Sequence, residues 1–367
     1  MEFIDLKTQL QTIRPAIDNR IKKVLDHGQF IMGPEVHQLE EKLADFVGVK
    51  HCISCANGTD ALQLSLMALG IGPGDTVITT SFSFFATAEV IPLVGAIPYF
   101  VDIESDTYNI SPRSLEKGIL EAKTKGLIPK AVIAVDLFGL PANYPEIERI
   151  CKQYGLYLIE DAAQGFGGSI NEKKAGSFGD IATTSFFPAK PLGCFGDGGA
   201  IFTNKDELAY LCRSLRSHGK GSHKYDNERI GLNSRLDTIQ AAILLEKLTV
   251  FEQEFEAKQN IASYYQENII EHIGKPNIPA SMQSSWAIYT LYARQHPREY
   301  YLNLLQHNNI PHGIYYPIGL NKQQSLQHYP SSSCDITIQA SERVFSIPMH
   351  PYLTKDQCEV IISSLLD

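Results

Sequence analysis

Lys190 is the side chain with the clearest potential for covalent chemistry. It lies between Pro188 and Pro191, and a glycine-rich turn begins at Gly193. Because proline fixes φ, the lysine is held on a stiff backbone rather than on a mobile surface loop. The apolar residues next to it in sequence are Phe186, Phe187, Leu192 and Phe195. Poor solvation favours the neutral amine, which attacks carbonyl carbon as Schiff-base lysines do. The alternative is a strand-end lysine whose head reaches water, and for a lone lysine this is the commoner arrangement.

An acidic pair follows an apolar run that is typical of a buried strand. Glu160 and Asp161 come directly after residues 156–159, and Gln164 lies three residues further on. Ligands of open α/β sheets bind at the carboxyl ends of strands. A carboxylate at such a position can keep a heteroaromatic ring nitrogen protonated, so that the ring withdraws electrons. Gln164 could donate to a phenolic oxygen of that ring. Helix capping or magnesium binding by Asp161 is the alternative.

Two loops that follow predicted strands could hold a phosphorylated ring. Gly58 and Thr59 lie between a short strand and a helix, where free N–H groups and the helix dipole favour a phosphate. Asp60 could instead be a plain helix cap. Phe84 follows another strand. Its ring could stack on a planar ligand, although most aromatic residues at such positions belong to the core.

Positive charge is concentrated between residues 213 and 235. The segment contains Arg213, Arg216, His218, Lys220, His223, Lys224, Arg229 and Arg235. The opposing charges are Asp226 and Glu228. Because arginine binds phosphate and carboxylate in a bidentate manner, the segment could clamp a diphosphate or a carboxylate. A solvated loop is the alternative. The two histidines lack a metal-ligand spacing, so no metal is predicted.

Composition limits the function classes that are open to this chain. Its 367 residues carry a formal net charge of −9, which argues against general binding of nucleic acid. No apolar run approaches the ~20 residues of a membrane span, and the first residues show no signal or transit pattern. We therefore expect a cytoplasmic protein. Cys52 and Cys55 form the single close cysteine pair, which is a redox motif or a pair of buried strand-end thiols, whereas a zinc ribbon would need a second pair.

Short apolar runs alternate with helical segments over most of the chain. This pattern predicts an α/β domain with a largely parallel sheet. The predicted strands are residues 51–54, 76–80, 97–102, 131–136, 156–160, 183–187 and 200–203. The predicted helices include residues 11–27, a second helix that opens at Gly33 and Pro34, and residues 60–69, 111–123 and 144–154. These elements must bring the motifs above to one edge of the sheet.

The last third of the chain predicts a second, smaller unit. A helical period without proline runs from residue 236 to about residue 271 and suits a helix that bridges two domains. Beyond it we predict strands at residues 287–293, 313–316 and 344–347 and a closing helix at residues 355–366. The predicted division is a large domain over residues 1–250, and the bridging helix with a small C-terminal α/β domain over residues 251–367.

Four motifs together predict a site for pyridoxal phosphate. They are the lysine, the acidic pair at the end of a strand, the helix start that suits a phosphate, and the aromatic residue at the end of a strand. At these residues the chain resembles the DegT-type sugar aminotransferases, which are fold-type I pyridoxal phosphate enzymes. The shared signatures are residues 57–62, 160–164, 185–193, 198–200 and 233–237. The resemblance extends from Phe3 to Pro351, essentially the whole chain.

The resemblance implies a role for each motif. Lys190 would form the Schiff base with the cofactor and move the proton between cofactor and substrate carbons, and Asp161 would pair with the pyridine nitrogen. Further cofactor-binding residues would be Gly58, Thr59 and Ser185 at the phosphate, Phe84 and Gln164 at the ring, and Asn233. Candidate substrate-binding residues are His218, Arg229, Arg235, Tyr315 and Tyr316. Asn233 and Arg235 would act in the neighbouring subunit, which implies a homodimer with shared sites.

The resemblance also implies a substrate class. The family transfers an amino group, usually from L-glutamate, to a keto-sugar that is carried on a nucleotide. The chain is most similar to 3-aminotransferases of bacterial surface-polysaccharide synthesis, which act on the 3-keto form of UDP-N-acetylglucosaminuronic acid. Many relatives have His-Tyr-Pro where this chain has Tyr315-Tyr316-Pro317, so another 3-keto or 4-keto sugar nucleotide is an alternative. A sugar dehydratase would carry histidine in place of Lys190, and a non-catalytic regulator would lack Lys190 or Asp161.

Overall fold

The computed structural model describes residues 1–223 and 225–366. Lys224 of the basic segment and the last residue of the predicted small domain, Asp367, lie outside the described residues. The helices are α1 (Leu6–His27), α2 (Pro34–Val47), α3 (Gly58–Ala68), α4 (Ala86–Leu93), α5 (Pro112–Thr124), α6 (Tyr144–Tyr154), α7 (Asp206–Leu215), α8 (Thr238–Asn268), α9 (Arg298–His307), α10 (Asp335–Arg343) and α11 (Lys355–Ser363). The strands are β1 (His51–Cys55), β2 (Asp75–Thr80), β3 (Ile97–Val101), β4 (Ile128–Val135), β5 (Tyr157–Asp161), β6 (Ser169–Ile170), β7 (Lys173–Lys174), β8 (Ile181–Ser185), β9 (Gly199–Thr203), β10 (Ile273–Gly274), β11 (Met282–Gln283), β12 (Tyr289–Ala293) and β13 (Val344–Ile347).

A seven-stranded sheet organises the first two thirds of the chain. Its strand order is β1-β9-β8-β5-β4-β2-β3. The pairings from β8 to β3 are parallel, whereas β9 runs antiparallel to both of its neighbours. Helices cover both faces, so the strands are buried on both sides, as expected for parallel sheets. The prediction of an α/β fold with a mostly parallel sheet is confirmed.

The helix boundaries follow local signals in the sequence. Pro34 occupies the first turn of α2, where its missing N–H costs nothing. Gly48 ends the same helix with φ of 79°, a left-handed conformation that glycine adopts without strain. Ser111 accepts from Ser114 N–H and caps α5. These caps explain why several helices begin and end within two residues of their predicted bounds.

The C-terminal third has its own sheet and core. Strands β10, β12 and β13 form a three-stranded antiparallel sheet. The second half of α8 packs in this core through Ile261 and Tyr265, whereas its first half packs against the large sheet through Leu244. The long helix thus joins the two cores. The division of the chain at residue 250 stays a prediction.

Three parts of the predicted sheet pattern differ from the structure, and one of them is the short strand β10, which was not predicted. Residues 313–316 do not form a strand, because Gly313 alone of these residues pairs with Ser346. A small sheet of order β11-β6-β7 was not predicted, since its strands have two residues each and leave almost no periodic signal.

Candidate active site

Lys190 lies in a tight turn that follows β8. Its backbone N–H donates to Phe187 O at 2.8 Å, and Cys194 N–H donates to Phe186 O at 2.8 Å. Phe186 and Leu192 are buried, but Phe187 is 52% and Phe195 38% exposed. Of the four apolar residues that we expected around Lys190, two are therefore buried and two are exposed. Burial lowers the pKa of Lys190, and the charge of Asp161 acts in the opposite direction. Lys190 and Asp161 line the same cavity.

Asp161 closes β5 and is fixed by two donors. Thr87 Oγ1 donates to Oδ2 at 2.8 Å, and Ala163 N–H donates to Oδ1 at 3.2 Å. Burial raises the pKa of Asp161, while these two hydrogen bonds and Lys190 lower it. Asp161 caps none of the helices of the described chain, so the capping alternative is wrong. A cationic ring nitrogen next to this carboxylate would favour its ionised form.

The amino end of α3 forms a cradle next to Lys190. Asn57 caps the helix by accepting from Asp60 N–H at 2.7 Å, so Asp60 itself is not the cap. A Cβ atom at Gly58 would lie 2.7 Å from Ser185 Cβ, which leaves room only for glycine. Thr59 and Ser185 add hydroxyl groups to the same cavity. Backbone N–H groups at a helix start, with hydroxyls around them, suit a phosphate.

Gln164 is oriented by the loop that follows β4. Phe138 N–H donates to its Oε1 at 2.9 Å, and its Nε2 donates to Tyr316 OH at 3.3 Å. Burial raises the pKa of Tyr316, so the phenol stays protonated. Phe84 lines the same cavity and is 55% exposed, which leaves its ring face free of the core. The prediction that Phe84 is available for stacking stays open.

One cavity of about 810 Å³ brings most of the predicted residues together. Its lining includes Gly58, Thr59, Phe84, Asp161, Gln164, Ser185, Lys190, Tyr315 and Tyr316. These residues fit pyridoxal phosphate: the amine for the aldehyde, the carboxylate for the ring nitrogen, and the Gly58 cradle for the phosphate. The volume also suits a bound substrate.

The basic segment lies elsewhere in the same chain. His218, Lys220, Arg229 and Arg235 line a separate recess, and Lys190 is not among its lining residues in the described part of the chain. Asn233 Oδ1 accepts from Arg235 Nη2 at 2.5 Å. Within one chain, the structure therefore does not bring His218, Arg229, Asn233 or Arg235 to the Lys190 cavity.

Arg216 does not belong to a clamp for substrate. It is 4% exposed, and its Nη1 contacts Glu40 Oε1 at 2.5 Å and Ser54 O at 2.7 Å. This buried ion pair anchors the start of the basic segment to α2 and β1. The interpretation of the whole segment as a ligand clamp was too broad, because charge spacing does not distinguish a buried cation from an exposed one.

The cysteine pair has the surroundings of structural thiols. Cys52 and Cys55 are buried in β1, and burial raises the pKa of both. Since the thiolate is the reactive form, this favours the interpretation as buried strand thiols over a redox motif.

Among the described residues, no group of His, Cys, Asp or Glu is placed to hold a metal ion. None of the described helices is long and apolar enough to cross a membrane.

Several residues of the site were missed, four of which are informative. Thr87 binds Asp161, Ser83 contacts Thr87 at 2.9 Å, and Phe3 and Ile4 line the cavity from the N-terminal segment. Thr87 lies seven residues after the end of β2, inside α4, so strand-end reasoning did not reach it. Phe3 reaches the cavity by long-range packing with Tyr315 (ring centroids 6.1 Å apart).

A mostly parallel sheet that places a lysine and a carboxylate in one cavity is the arrangement of a pyridoxal phosphate enzyme. The chain belongs to the DegT/DnrJ/EryC1/StrS aminotransferase family, which matches residues 11–366. It is 48% identical to UDP-2-acetamido-2-deoxy-3-oxo-D-glucuronate aminotransferase of Pseudomonas aeruginosa, over 100% of this chain and 99% of that protein.

Solved structures agree with this membership. A DegT/DnrJ/EryC1/StrS aminotransferase from Brucella abortus superposes with a TM-score of 0.98 at 48% identity, over 100% of this chain and 98% of that one. A Bacillus subtilis protein that was solved with bound cofactor PMP gives a TM-score of 0.88 at 28% identity, over 99% and 82%. The predictions of fold, family, enzyme class and cofactor are confirmed.

Proposed function

We propose that this enzyme transfers an amino group from L-glutamate to UDP-2-acetamido-2-deoxy-3-keto-glucuronic acid and forms the 3-amino sugar. The observation that carries the proposal is the Lys190–Asp161 pair in one cavity of an aminotransferase fold. The similar Pseudomonas protein, named for that 3-oxo-glucuronate, supports the choice of sugar. The product would serve the synthesis of surface polysaccharide such as lipopolysaccharide O-antigen.

The chain's own groups define the chemistry of the site. When bound, pyridoxal phosphate supplies an electron-withdrawing ring that carries the amino group from donor to acceptor. Lys190 Nζ holds the cofactor and moves a proton at the reacting carbon, which requires the neutral amine that burial favours. Asp161 holds the ring nitrogen in its protonated form, and Thr87 keeps the carboxylate in place. Gly58, Thr59 and Ser185 hold the phosphate, while Phe84 and Gln164 orient the ring.

Substrate charge favours a homodimer with shared sites. A UDP-linked uronate carries about three negative charges, which a net-negative protein does not attract without a local cluster of cations. Lys220, Arg229 and Arg235 supply such cations in the recess that His218 also lines, but this recess lies apart from Lys190 in the same chain. We place this recess, with Asn233, against the cavity of a neighbouring subunit. The exposed apolar side chains Phe187 and Phe195 next to Lys190 support an additional contact surface there.

The remaining proposals concern sugar contacts and location. Tyr315 and Tyr316 line the cavity shortly after Gly313, which pairs with Ser346 of β13. There they would contact the sugar. We place the enzyme in the cytoplasm, because its seven cysteines are all free thiols, as is usual in a reducing compartment.

A substrate panel tests the proposed sugar. The purified enzyme, loaded with pyridoxal phosphate, is given L-glutamate and equal concentrations of the 3-keto uronate or of 3-keto and 4-keto 6-deoxyhexose nucleotides. We expect the uronate to react fastest, since loss of one buried charged contact costs ~2–5 kcal/mol. Faster amination of a 6-deoxy 4-keto sugar would reject the substrate but leave the aminotransferase assignment intact.

A further inference from the structure

Two buried carboxyl groups lie on the opposite side of the sheet from Asp161. In the parallel pair of β4 and β5, Ala134 is opposite Glu160 and Val135 is opposite Asp161. Because successive side chains along a strand point to opposite faces, Glu160 and Asp136 share the face that Asp161 does not use. Both residues have an exposed fraction of 0%. Each carboxyl group affects the pKa of the other, so the two groups lie close together.

The donors around this pair are unequally distributed. Glu160 accepts from Gly176 N–H at Oε1 (2.6 Å) and from Phe178 N–H at Oε2 (2.7 Å). Asp136 Oδ1 accepts from Ala142 N–H at 3.1 Å and from Tyr144 OH at 2.7 Å. Asp136 Oδ2 receives no donor from the described residues. Of the four carboxyl oxygens, Asp136 Oδ2 is therefore the one where a proton fits.

Two adjacent negative charges are costly at this depth. All the donors given above are neutral groups, and burial of a charge without a cation is strongly unfavourable. Burial raises the pKa of Glu160 and raises the pKa of Asp136 to about 7, with the nearby Asp161 acting in the same direction on Asp136. Tyr144, the other titratable group in contact, has a raised pKa and stays neutral. The pair thus retains one proton.

Asp136 also supports the turn that carries the cofactor-facing side chains. Its backbone N–H donates to Asp161 O at 3.0 Å. Its Oδ2 lies directly under Gly165, where an added Cβ atom would be 2.3 Å away. Gly165 follows Gln164, and Phe138, two residues after Asp136, orients the Gln164 amide. One residue therefore contacts the backbone on both sides of the turn.

We propose that Asp136 is a positioning residue that acts as a neutral acid, donates its proton to Glu160, and in this form fixes the turn that carries Asp161 and Gln164. This inference rests on the proposed roles of Asp161 and Gln164 toward the cofactor. Asp136 itself lies on the other face of the sheet and is not a catalytic residue.

Amide substitutions locate the proton. In Asp136→Asn, the new Nδ2 replaces the one oxygen without a donor and can itself donate to Glu160. In Glu160→Gln, an amide NH₂ must face one of two backbone N–H groups. Asp102→Asn is the matched control, because both oxygens of that buried carboxylate also accept from backbone N–H groups, those of Ile336 and Thr337. In urea unfolding of the full chain at pH 7, with and without pyridoxal phosphate, we expect Asp136→Asn to match the wild type and both other variants to be less stable.

The pH dependence provides a second readout. A raised carboxyl pKa means that the folded protein keeps a proton that the unfolded chain releases. This stabilisation is complete below about pH 4 and is lost as the pH rises toward 7. Over this range the equilibrium constant for folding falls by up to about tenfold per pH unit. Asp136→Asn should lack this decline. Equal damage by Asp136→Asn and Glu160→Gln, or an unchanged pH slope in Asp136→Asn, would overturn the shared proton.

The positioning role is tested on the cofactor. We expect Asp136→Ala to bind pyridoxal phosphate about tenfold or more weakly, measured by the visible absorption of the bound cofactor, since a buried acceptor loses its donor. Asp136→Asn should restore binding to the wild-type level. Wild-type binding by Asp136→Ala would refute the positioning role. Full turnover by Asp161→Ala would instead refute the proposed function, while the amide comparison without cofactor would still report the shared proton.

Discussion

Thr87 provides the most specific test of how Asp161 is held ionised. Its hydroxyl group is buried, contacts Ser83 Oγ at 2.9 Å and donates to Asp161 Oδ2 at 2.8 Å. Since Thr87 donates to the carboxylate, Ser83 must be the donor in the other contact. Thr87→Val keeps the shape of the side chain but removes this donor. A hydrogen bond to a charged group contributes about 1.5–3 kcal/mol, so we expect its loss to raise the pKa of Asp161 further.

The consequence is a shift in the pH profile. Asp161 must be ionised, so activity is lost as the pH falls through its pKa, and this acid limb should move to higher pH in Thr87→Val. The assay is the rate of the glutamate half-reaction, followed by the cofactor's absorption between pH 5 and pH 9, with Thr87→Ser as the matched control that keeps the hydroxyl. An acid limb that stays in place in Thr87→Val, or that shifts equally in Thr87→Ser, would show that this hydrogen bond does not control Asp161.

Two further predictions concern the phosphate cradle and the shared site. Gly58→Ala places a methyl group against Ser185 and should weaken pyridoxal phosphate binding by about 1–3 kcal/mol, measured by cofactor titration. Unchanged affinity would refute the role of Gly58 in binding the phosphate. Mixing inactive Lys190→Ala with inactive Arg235→Ala should restore part of the activity through hybrid dimers. No recovery after verified subunit exchange would place Arg235 outside the neighbouring site.

Strand-end reasoning predicted much of the site from the sequence. Lys190, Asp161 and Gly58 follow buried strands, and the parallel topology brings the ends of such strands to one edge. The helix α6, bounded by Tyr144 and Gly155, was predicted with its exact limits because its amphipathic pattern and glycine stop agree. Local signals thus identified the residues that the sheet itself positions.

Contacts between distant segments could not be predicted in this way. Charge spacing placed Arg216 with the other cations, but its partner Glu40 is 176 residues away, and the pair is buried. The role of Asp136 depends on the register between β4 and β5 and on Gly165, none of which has a local signature. The strand predicted at residues 313–316 failed because an apolar aromatic run also suits a cavity wall.

The identity of the covalently bound lysine tests the central claim most directly. Burial also lowers the pKa of Lys247 and Lys258 to about 8, so a depressed pKa alone does not identify the reactive amine. Lys190 alone among these three lines the cavity with Asp161. We expect borohydride reduction of the holoenzyme, followed by peptide mass mapping, to find the cofactor on Lys190. Labelling of Lys247 or Lys258 instead, or cofactor retained covalently by Lys190→Ala, would contradict this assignment.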